Sequence, residues 1–392
     1  MLKVAIEQTT TSMVLAQTIY HPLCPGEPLL KNGFQLDAPS IERLRSLHIP
    51  SLWIKFPHLE SLDSIVDPAI SEHKQDLLSF LTKTLPKELH CGDIKANYSR
   101  YAQKIEALIA TISNGRGVKT FFVSEIAAPP EMIFFHSVTV AYLSILMGMR
   151  LEHYIIRQRP NISRHIAKNL VSLGVGCLLH DVGKLQLDDA LHKFKITACD
   201  KGASLWQTHT EIGHELIKEG IDPTTAQIIL NHHQHFDGSG FPNRQGGGLD
   251  APFKPQSGLD IHIFCRIMAV ADRFDGFAFF PDGSRAPTVV ALKRMKNQGY
   301  RAWFDPTVLE TFFQVVPPFP PGEQVVLNNG QRCVVKRLSP KTPCRPIVAP
   351  VDLAVLEGRP PEGEAPAEID LSINPHLSIQ FVDGVDVTKF LY

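Results

Sequence analysis

Between Pro130 and about Val316, apolar residues recur at helical spacing in five long runs: 131 to 150, 166 to 179, 205 to 219, 224 to 232 and 260 to 277. Helices with such faces must bury them against a common core, so the centre of the chain is expected to be an all-α domain, 131–318. The flanks have another texture. Residues 1 to about 70 mix short apolar runs with turn signals (His21-Pro22, Pro25-Gly26, Asn32-Gly33), which predicts a small strand-rich α/β unit, 1–70. Its one helix is expected near Ser40 to Leu47, with Ser40 as N-cap. From Asp67 to about Ser113 helical spacing returns in Leu77, Leu78 and Leu81 and in Ile105, Leu108, Ile109 and Ile112, giving a helical connector, 71–130. After the Pro-rich run 317–322, β-branched stretches flank Asn328-Asn329-Gly330, which predicts a hairpin that opens a small C-terminal β unit, 319–392. Within it, the Pro- and Glu-rich stretch 357–368 is expected to be a mobile loop. The expected fold class is therefore α+β multidomain, with no internal repeat.

Several function classes are disfavoured at this level. The 39 Lys+Arg against 40 Asp+Glu leave no global field for a polymeric nucleic acid or an anionic membrane surface, so any phosphate binding must be local. The first residues lack the basic and apolar segments of a secretory signal. The most apolar stretch, Ile133 to Met149, is interrupted by His136, Ser137, Thr139 and Ser144 and is shorter than the roughly 20 residues a bilayer needs, which predicts a buried helix. Seven Cys residues without a CxxC pair suit reduced thiols, and Cys177 and Cys265 are expected as small buried hydrophobes. A cytoplasmic protein is the expectation. No oligomeric state follows.

The chemistry is concentrated in the helical region. His180-Asp181-Val182-Gly183-Lys184 directly follows the apolar run Leu170 to Leu179, placing an imidazole and a carboxylate at a helix end. One carboxylate can bridge two cations with its two oxygens while the imidazole holds one of them. The run 232–242, HHQHFDGSGFP, sets two adjacent imidazoles at the end of another apolar helix, with glycines that allow the backbone to loosen. His136, His209 and Asp272 each interrupt or border an apolar helical face, and a buried carboxylate such as Asp272 needs a partner. His235 borders this set and is expected to be a flanking polar residue.

In order, these residues resemble the HD-GYP group of the HD phosphohydrolase superfamily: HDxGK is met by 180–184, and HHExxDGxGYP is met at 232–242 with Gln234 and Phe241 as substitutions. The resemblance covers about 130–316. It implies a first metal held by His136, His180, Asp181 and Asp272, and a second held by the bridging Asp181 with His209, His232 and His233. Iron or manganese is the implied pair, with zinc as a third candidate. The implied reaction is hydrolysis of cyclic di-GMP or a related cyclic dinucleotide to linear pGpG and on to GMP, by a hydroxide bridging the metals. Asp181 and Lys184 would be catalytic, and Lys184, Arg285, Gly240 and Phe241 would contact substrate. Signalling proteins are further implied partners. The alternatives are a catalytically weak cyclic-dinucleotide sensor or scaffold and another HD-type nucleotide phosphohydrolase.

Three departures stand out. A third metal in some members uses a Glu one turn before the first His; here Met132 holds that place with Glu131 one residue off, so two metals are expected. The segment after Asp272 is lengthened and offers Arg285 as its basic candidate. The loop 243–258 is also lengthened, with Gly246, Gly247 and Gly248, and is expected to be a solvated insertion. Phe277, Phe279 and Phe280 are expected to pack into the core rather than stack a base.

Overall fold

In the computed structural model of the chain, the described residues are 1–22, 24–63, 67–91, 94–114, 133–187, 204–245, 253–351 and 366–392. The central apolar faces form helices Ile133–Arg150, Val171–Leu179, His209–Ile217, Pro223–Asn231 and Ile263–Phe277. Local polar groups decide where they start and stop. The run 166–179 is broken because the helix Arg164–Ala167 ends at Lys168, and Asn169 Oδ1 accepts from Val171 N at 2.9 Å to start a new helix. The run 205–219 divides into Ser204–Gln207 and His209–Ile217. Asp222 caps Pro223–Asn231, with Pro at the first helical position, and His262 Nδ1 accepts from Phe264 N at 3.2 Å to cap Ile263–Phe277.

Helix Ile133–Arg150 runs through the middle of the core. By length and composition it could cross a membrane, yet two thirds of it is buried against the rest of the protein. It packs on Val171–Leu179 and Ile263–Phe277, where Val138, Ala141, Ile145, Leu173, Leu178, Ile267 and Val270 are at most 1% exposed. Full burial of each large aliphatic is worth roughly 1.5–3 kcal/mol. The long helices Pro68–Cys91 and Ile94–Asn114 pair with each other and extend this same core through Leu77, Leu81, Ile105 and Leu108. Cys177 and Cys265 are buried within it, and Cys24, Cys177, Cys265, Cys333 and Cys344 are reduced, in no disulfide.

At the N-terminal end, Leu2–Ala5 pairs antiparallel with Ser51–Ile54 beside the helix Ala38–Ser46. That helix begins two residues earlier than the sequence suggests. Asp37 Oδ1 accepts from Ser40 N at 2.9 Å while Ser40 Oγ accepts from Asp37 N at 3.0 Å, so Asp37 is the N-cap and Ser40 the reciprocal partner one turn inside. C-terminally, the hairpin Gln324–Leu327 and Arg332–Arg337 belongs to a six-stranded antiparallel sheet in the order 369–370, 347–350, 332–337, 324–327, 379–382, 385–386. Residues 357–365 of the expected mobile loop lie outside the described residues.

The two ends of the chain share one core. Leu2, Val4, Leu52 and Trp53 cluster with Val334, Ala349 and Val351 of the sheet, and Gln324 Nε2 donates to Lys3 O at 2.8 Å. Glu323 sits in this junction, buried, with Oε2 lacking a hydrogen-bond partner. Burial pushes its carboxyl up to about 8, with Lys3 opposing and Asp383 adding to the rise. In the folded state this carboxyl therefore binds a proton that the unfolded chain releases above the ordinary range near 4.3, so its contribution to stability is lost as pH rises to about 8. Glu323→Gln should raise the melting temperature by a few degrees at pH 9 and change it little at pH 4. Equal shifts in thermal melts at the two pH values would contradict this assignment.

Candidate metal centre

Helix ends bring most of the polar cluster together. His136 lies in the first turn of Ile133–Arg150; His180 caps the C-terminus of Val171–Leu179, and Asp181 follows it. His209 opens its helix, His232 caps the C-terminus of Pro223–Asn231 with His233 next, and Asp272 lies well inside Ile263–Phe277. Six of the seven are at most 2% exposed, whereas the His136 side chain is 17% exposed, so the cluster opens to solvent on the His136 side.

Asp181 stands between two groups of imidazoles. Its Oδ2 is 3.2 Å from His180 Nε2 and 3.8 Å from His136 Nε2; its Oδ1 is 3.5 Å from His209 Nε2 and 3.8 Å from His232 Nε2. Asp272 Oδ1 lies 3.0 Å from His136 Nε2 and 3.9 Å from His180 Nε2. Donor atoms of His136, His180 and Asp272 fall within 4.8 Å of one another, as do those of His209, His232 and His233, and those of His180, Asp181 and His232 link the two sets.

The backbone fixes which nitrogen faces inward. His180, His209 and His232 each direct Nδ1 at the carbonyl three residues earlier: Cys177 O at 2.8 Å, Trp206 O at 2.6 Å and Ile229 O at 2.8 Å. A carbonyl only accepts, so Nδ1 donates, and in a neutral ring Nε2 is left as a lone pair. His209 and His232 are such rings: burial, with Lys184 nearby, pulls His209 down to about 3, and burial with neighbouring His180 and His209 pulls His232 well below the usual range. Their Nε2 atoms face each other at 3.2 Å, where two lone pairs cannot satisfy one another. Asp181 Oδ1 and Asp272 Oδ2 are buried without hydrogen-bond partners. Buried acceptors converging with no donor between them are a set a divalent cation satisfies, so these residues fit a pair of metal ions.

Electrostatics reinforce the fit. Burial alone would raise Asp181, but His180 and Lys184 hold it well below the carboxylate range; Asp272 is likewise held low against burial by its hydrogen bond with His136. His136 moves the other way. Burial opposes its charge, yet Asp272 and Asp275 hold its proton and lift it to about 10.

Several residues around the cluster were not singled out as site residues from sequence. Asp275 Oδ2 lies 2.9 Å from His136 Nδ1, orienting that ring; the signal was the three-residue spacing from Asp272, one helical turn. The Trp206 ring packs on His209 and His233 at 4.8 and 5.2 Å. Arg273 Nη2 is 3.4 Å from His233 Nδ1. His235, buried, stacks on Trp303 at 4.0 Å and binds Ser239 Oγ through Nδ1 at 2.9 Å.

The expected substrate contacts take distinct places. Lys184 Nζ donates to Asp181 Oδ2 at 2.6 Å and lies 5.2 Å over the Trp206 ring. Phe241 stacks obliquely on His233 at 4.7 Å. Gly240 is buried, and a Cβ there would fall 2.3 Å from both His233 O and His235 N, so its glycine is required by backbone packing within the loop. Arg285 returns to the site because Phe279 and Arg285 form a β-bridge that closes the lengthened segment; its Nη2 is 3.9 Å from Asp275 Oδ1 and its guanidinium lies over Phe279. Phe277 packs on Tyr300 and Phe280 lies beneath Arg294. In the loop 243–258, Arg244–Gln245 pairs with Phe253–Lys254, while Gly246, Gly247 and Gly248 lie outside the described residues, as do Glu131 and Met132.

Gln234 replaces the Glu of the motif for a visible reason. Its Nε2 donates to Pro242 O at 2.7 Å and its Oε1 accepts from Gln256 N at 2.8 Å, so a buried amide ties the two ends of the loop that follows His233. A carboxylate cannot donate to Pro242 O. Gln234→Glu should therefore cost about 1–3 kcal/mol, read as a lower denaturation midpoint, and a variant of unchanged stability would contradict the role.

Comparisons with known proteins follow the same region. Residues 166–308 match the HD domain family model. A cyclic di-GMP phosphodiesterase of Pseudomonas aeruginosa is 26% identical over 211 residues, 52% of this chain and 44% of that protein. The 3'3'-cGAMP-specific phosphodiesterase 2 of Vibrio cholerae is 38% identical over 101 residues, 25% of this chain and 17% of that protein. A cyclic di-GMP phosphodiesterase of Thermotoga maritima is 29% identical over 141 residues, 35% of each. The chain thus spans less than half the length of these relatives. Among solved structures, an HDG"Y"P protein from Bdellovibrio bacteriovorus matches with a TM-score of 0.47 at 14% identity, covering 79% of this chain and 97% of that one.

Proposed function

We propose that this chain, which carries an HD domain, is a metal-dependent phosphodiesterase that opens a cyclic purine dinucleotide, cyclic di-GMP or a close relative, to the linear dinucleotide. One observation carries the reading: the two oxygens of Asp181 each face their own set of imidazoles, with His180, His209 and His232 turning Nε2 inward. The named activities of the sequence relatives supply the substrate class.

His136, His180, Asp181 and Asp272 would hold one cation, and Asp181, His209, His232 and His233 the other. Iron or manganese suits this mixed nitrogen and oxygen set. When bound, such a pair supplies Lewis-acid activation of water and neutralises charge on the phosphoryl oxygens.

The protein's own groups do the rest. In the net reaction, water oxygen forms a bond to phosphorus, the P–O3′ bond breaks, and the departing oxygen takes a proton. Lys184, held at 2.6 Å by Asp181 Oδ2, is the cation placed to contact a phosphate oxygen or protonate the leaving oxygen. Asp275 keeps the His136 ring oriented at the solvent-facing side, and Arg285 beside it supplies positive charge for the second phosphate. Trp206 and Phe241 cover the His209 and His233 rings and keep bulk water from that side.

The test is turnover by protein loaded anaerobically with Mn(II) or Fe(II), given cyclic di-GMP and 3'3'-cGAMP separately, with products separated by chromatography. Linear pGpG or its mixed-base counterpart is the expected product, with GMP as a later one. Full metal loading without linear product from either substrate would contradict the enzyme and leave a binding protein.

A further inference from the structure

Arg273 follows Asp272 on helix Ile263–Phe277 and is only 6% exposed. Its guanidinium lies 5.3 Å over the ring of Trp303, whose backbone carbonyl accepts from Phe236 N at 2.8 Å, so the platform beneath the charge is tied to the loop that carries His233. Arg273 Nη2 is 3.4 Å from His233 Nδ1, and Arg273 Nε is 4.0 Å from Asp272 Oδ2.

A guanidinium only donates, so Nδ1 of His233 is the accepting nitrogen and the proton of the neutral ring sits on Nε2. His180, His209 and His232 have the opposite arrangement, each giving its Nδ1 proton to a helix-end carbonyl. His233 Nε2 is buried without a hydrogen-bond partner. Of the three imidazoles grouped around the second cation position, two present lone pairs, and the lone pair of the third faces a fixed positive charge.

We propose that Arg273 competes with the second cation for His233, so that this cation is held weakly by Asp181, His209 and His232, and His233 joins only when Arg273 gives up Nδ1. The proposal rests on the two-cation reading above. It makes Arg273 a positioning residue that sets metal affinity at one of two neighbouring sites.

Chelator-stripped full-length protein, titrated with Mn(II) while free Mn(II) is counted by EPR, separates the cases. Wild type should bind one ion tightly and one weakly, and Arg273→Met should tighten the weak one by about tenfold or more, the scale on which a ligand's neighbours move affinity. In wild type, His233→Ala should weaken the second ion less than threefold while His232→Ala weakens it about tenfold or more; in the Arg273→Met background, His233→Ala should cost as much as His232→Ala. Thermal melts check that each variant folds, and if Arg273→Met does not, the two histidine variants in wild type decide alone. Unchanged or weaker second-site binding in Arg273→Met, or equal costs for His233→Ala and His232→Ala in wild type, would overturn the competition. A wild type that takes up no second ion at any Mn(II) concentration would instead sink the two-cation reading and the competition with it.

Discussion

Asp181→Ala should empty both cation positions and lower turnover of a cyclic dinucleotide by on the order of 10³-fold or more. The expectation comes from geometry rather than from motif membership. Asp181 is the one carboxylate among the described residues whose Oδ2 lies beside His136 and His180 while its Oδ1 lies beside His209 and His232. Removing it leaves Asp272 as the one carboxylate among the proposed ligands to offset the charge of two divalent ions, and it also frees Lys184, whose ammonium is balanced by Asp181 at 2.6 Å. Metal content measured by elemental analysis should fall from two ions per chain towards none. Retention of two ions by the folded Ala variant would contradict the bridging role.

Gly183→Ala should be the most damaging substitution that removes no polar atom. A Cβ at Gly183 would lie 2.0 Å from His209 O, 2.9 Å from His209 C and 2.7 Å from Gly213 N. These are backbone atoms and cannot rotate away, so helix His209–Ile217 must move off the turn that holds Asp181. Overpacking of this kind costs about 1–3 kcal/mol in ordinary cores. Here it also displaces His209 from Asp181 Oδ1, so Mn(II) affinity should fall together with the melting temperature. A Gly183→Ala protein that melts and binds metal like wild type would show that the turn and helix His209–Ile217 are not held at the spacing described.

The physical reason the cluster could be read from sequence is that burying imidazoles and carboxylates is costly. His180-Asp181 and His232-His233 at the ends of strongly apolar runs, and Asp272 inside one, stand out because ordinary packing gives them no partner. The structure brings all five stretches together. What sequence did not reveal is how the rings are oriented. The carbonyls of Cys177, Trp206 and Ile229 are backbone groups at helix ends, invisible in side-chain identity, and Asp275 was hidden in a segment noted for its departure from a motif. Gln234 looked like the loss of a carboxylate, although its amide makes two bonds that a carboxylate could not both make.

At the level of fold, local signals carried the helices and missed their breaks. Asn169 could be seen in sequence, but its competition for Val171 N depends on the backbone it helps to form. The N-cap of the helix Ala38–Ser46 is Asp37 rather than Ser40 because the two residues cap reciprocally. The common core of Leu2, Val4 and Trp53 with Val334 and Ala349 joins residues about 300 positions apart, a pairing no periodicity within either segment encodes.

The claim on which the rest depends is that Asp181 stands between two cations. Its most direct test is a crystal structure of the protein soaked in saturating Mn(II), with anomalous scattering recorded at the manganese edge. Two anomalous peaks about 4 Å apart, one on each side of the Asp181 carboxylate, are the predicted result. A single peak, or peaks that leave Asp181 Oδ1 or Oδ2 without a metal contact, would contradict it.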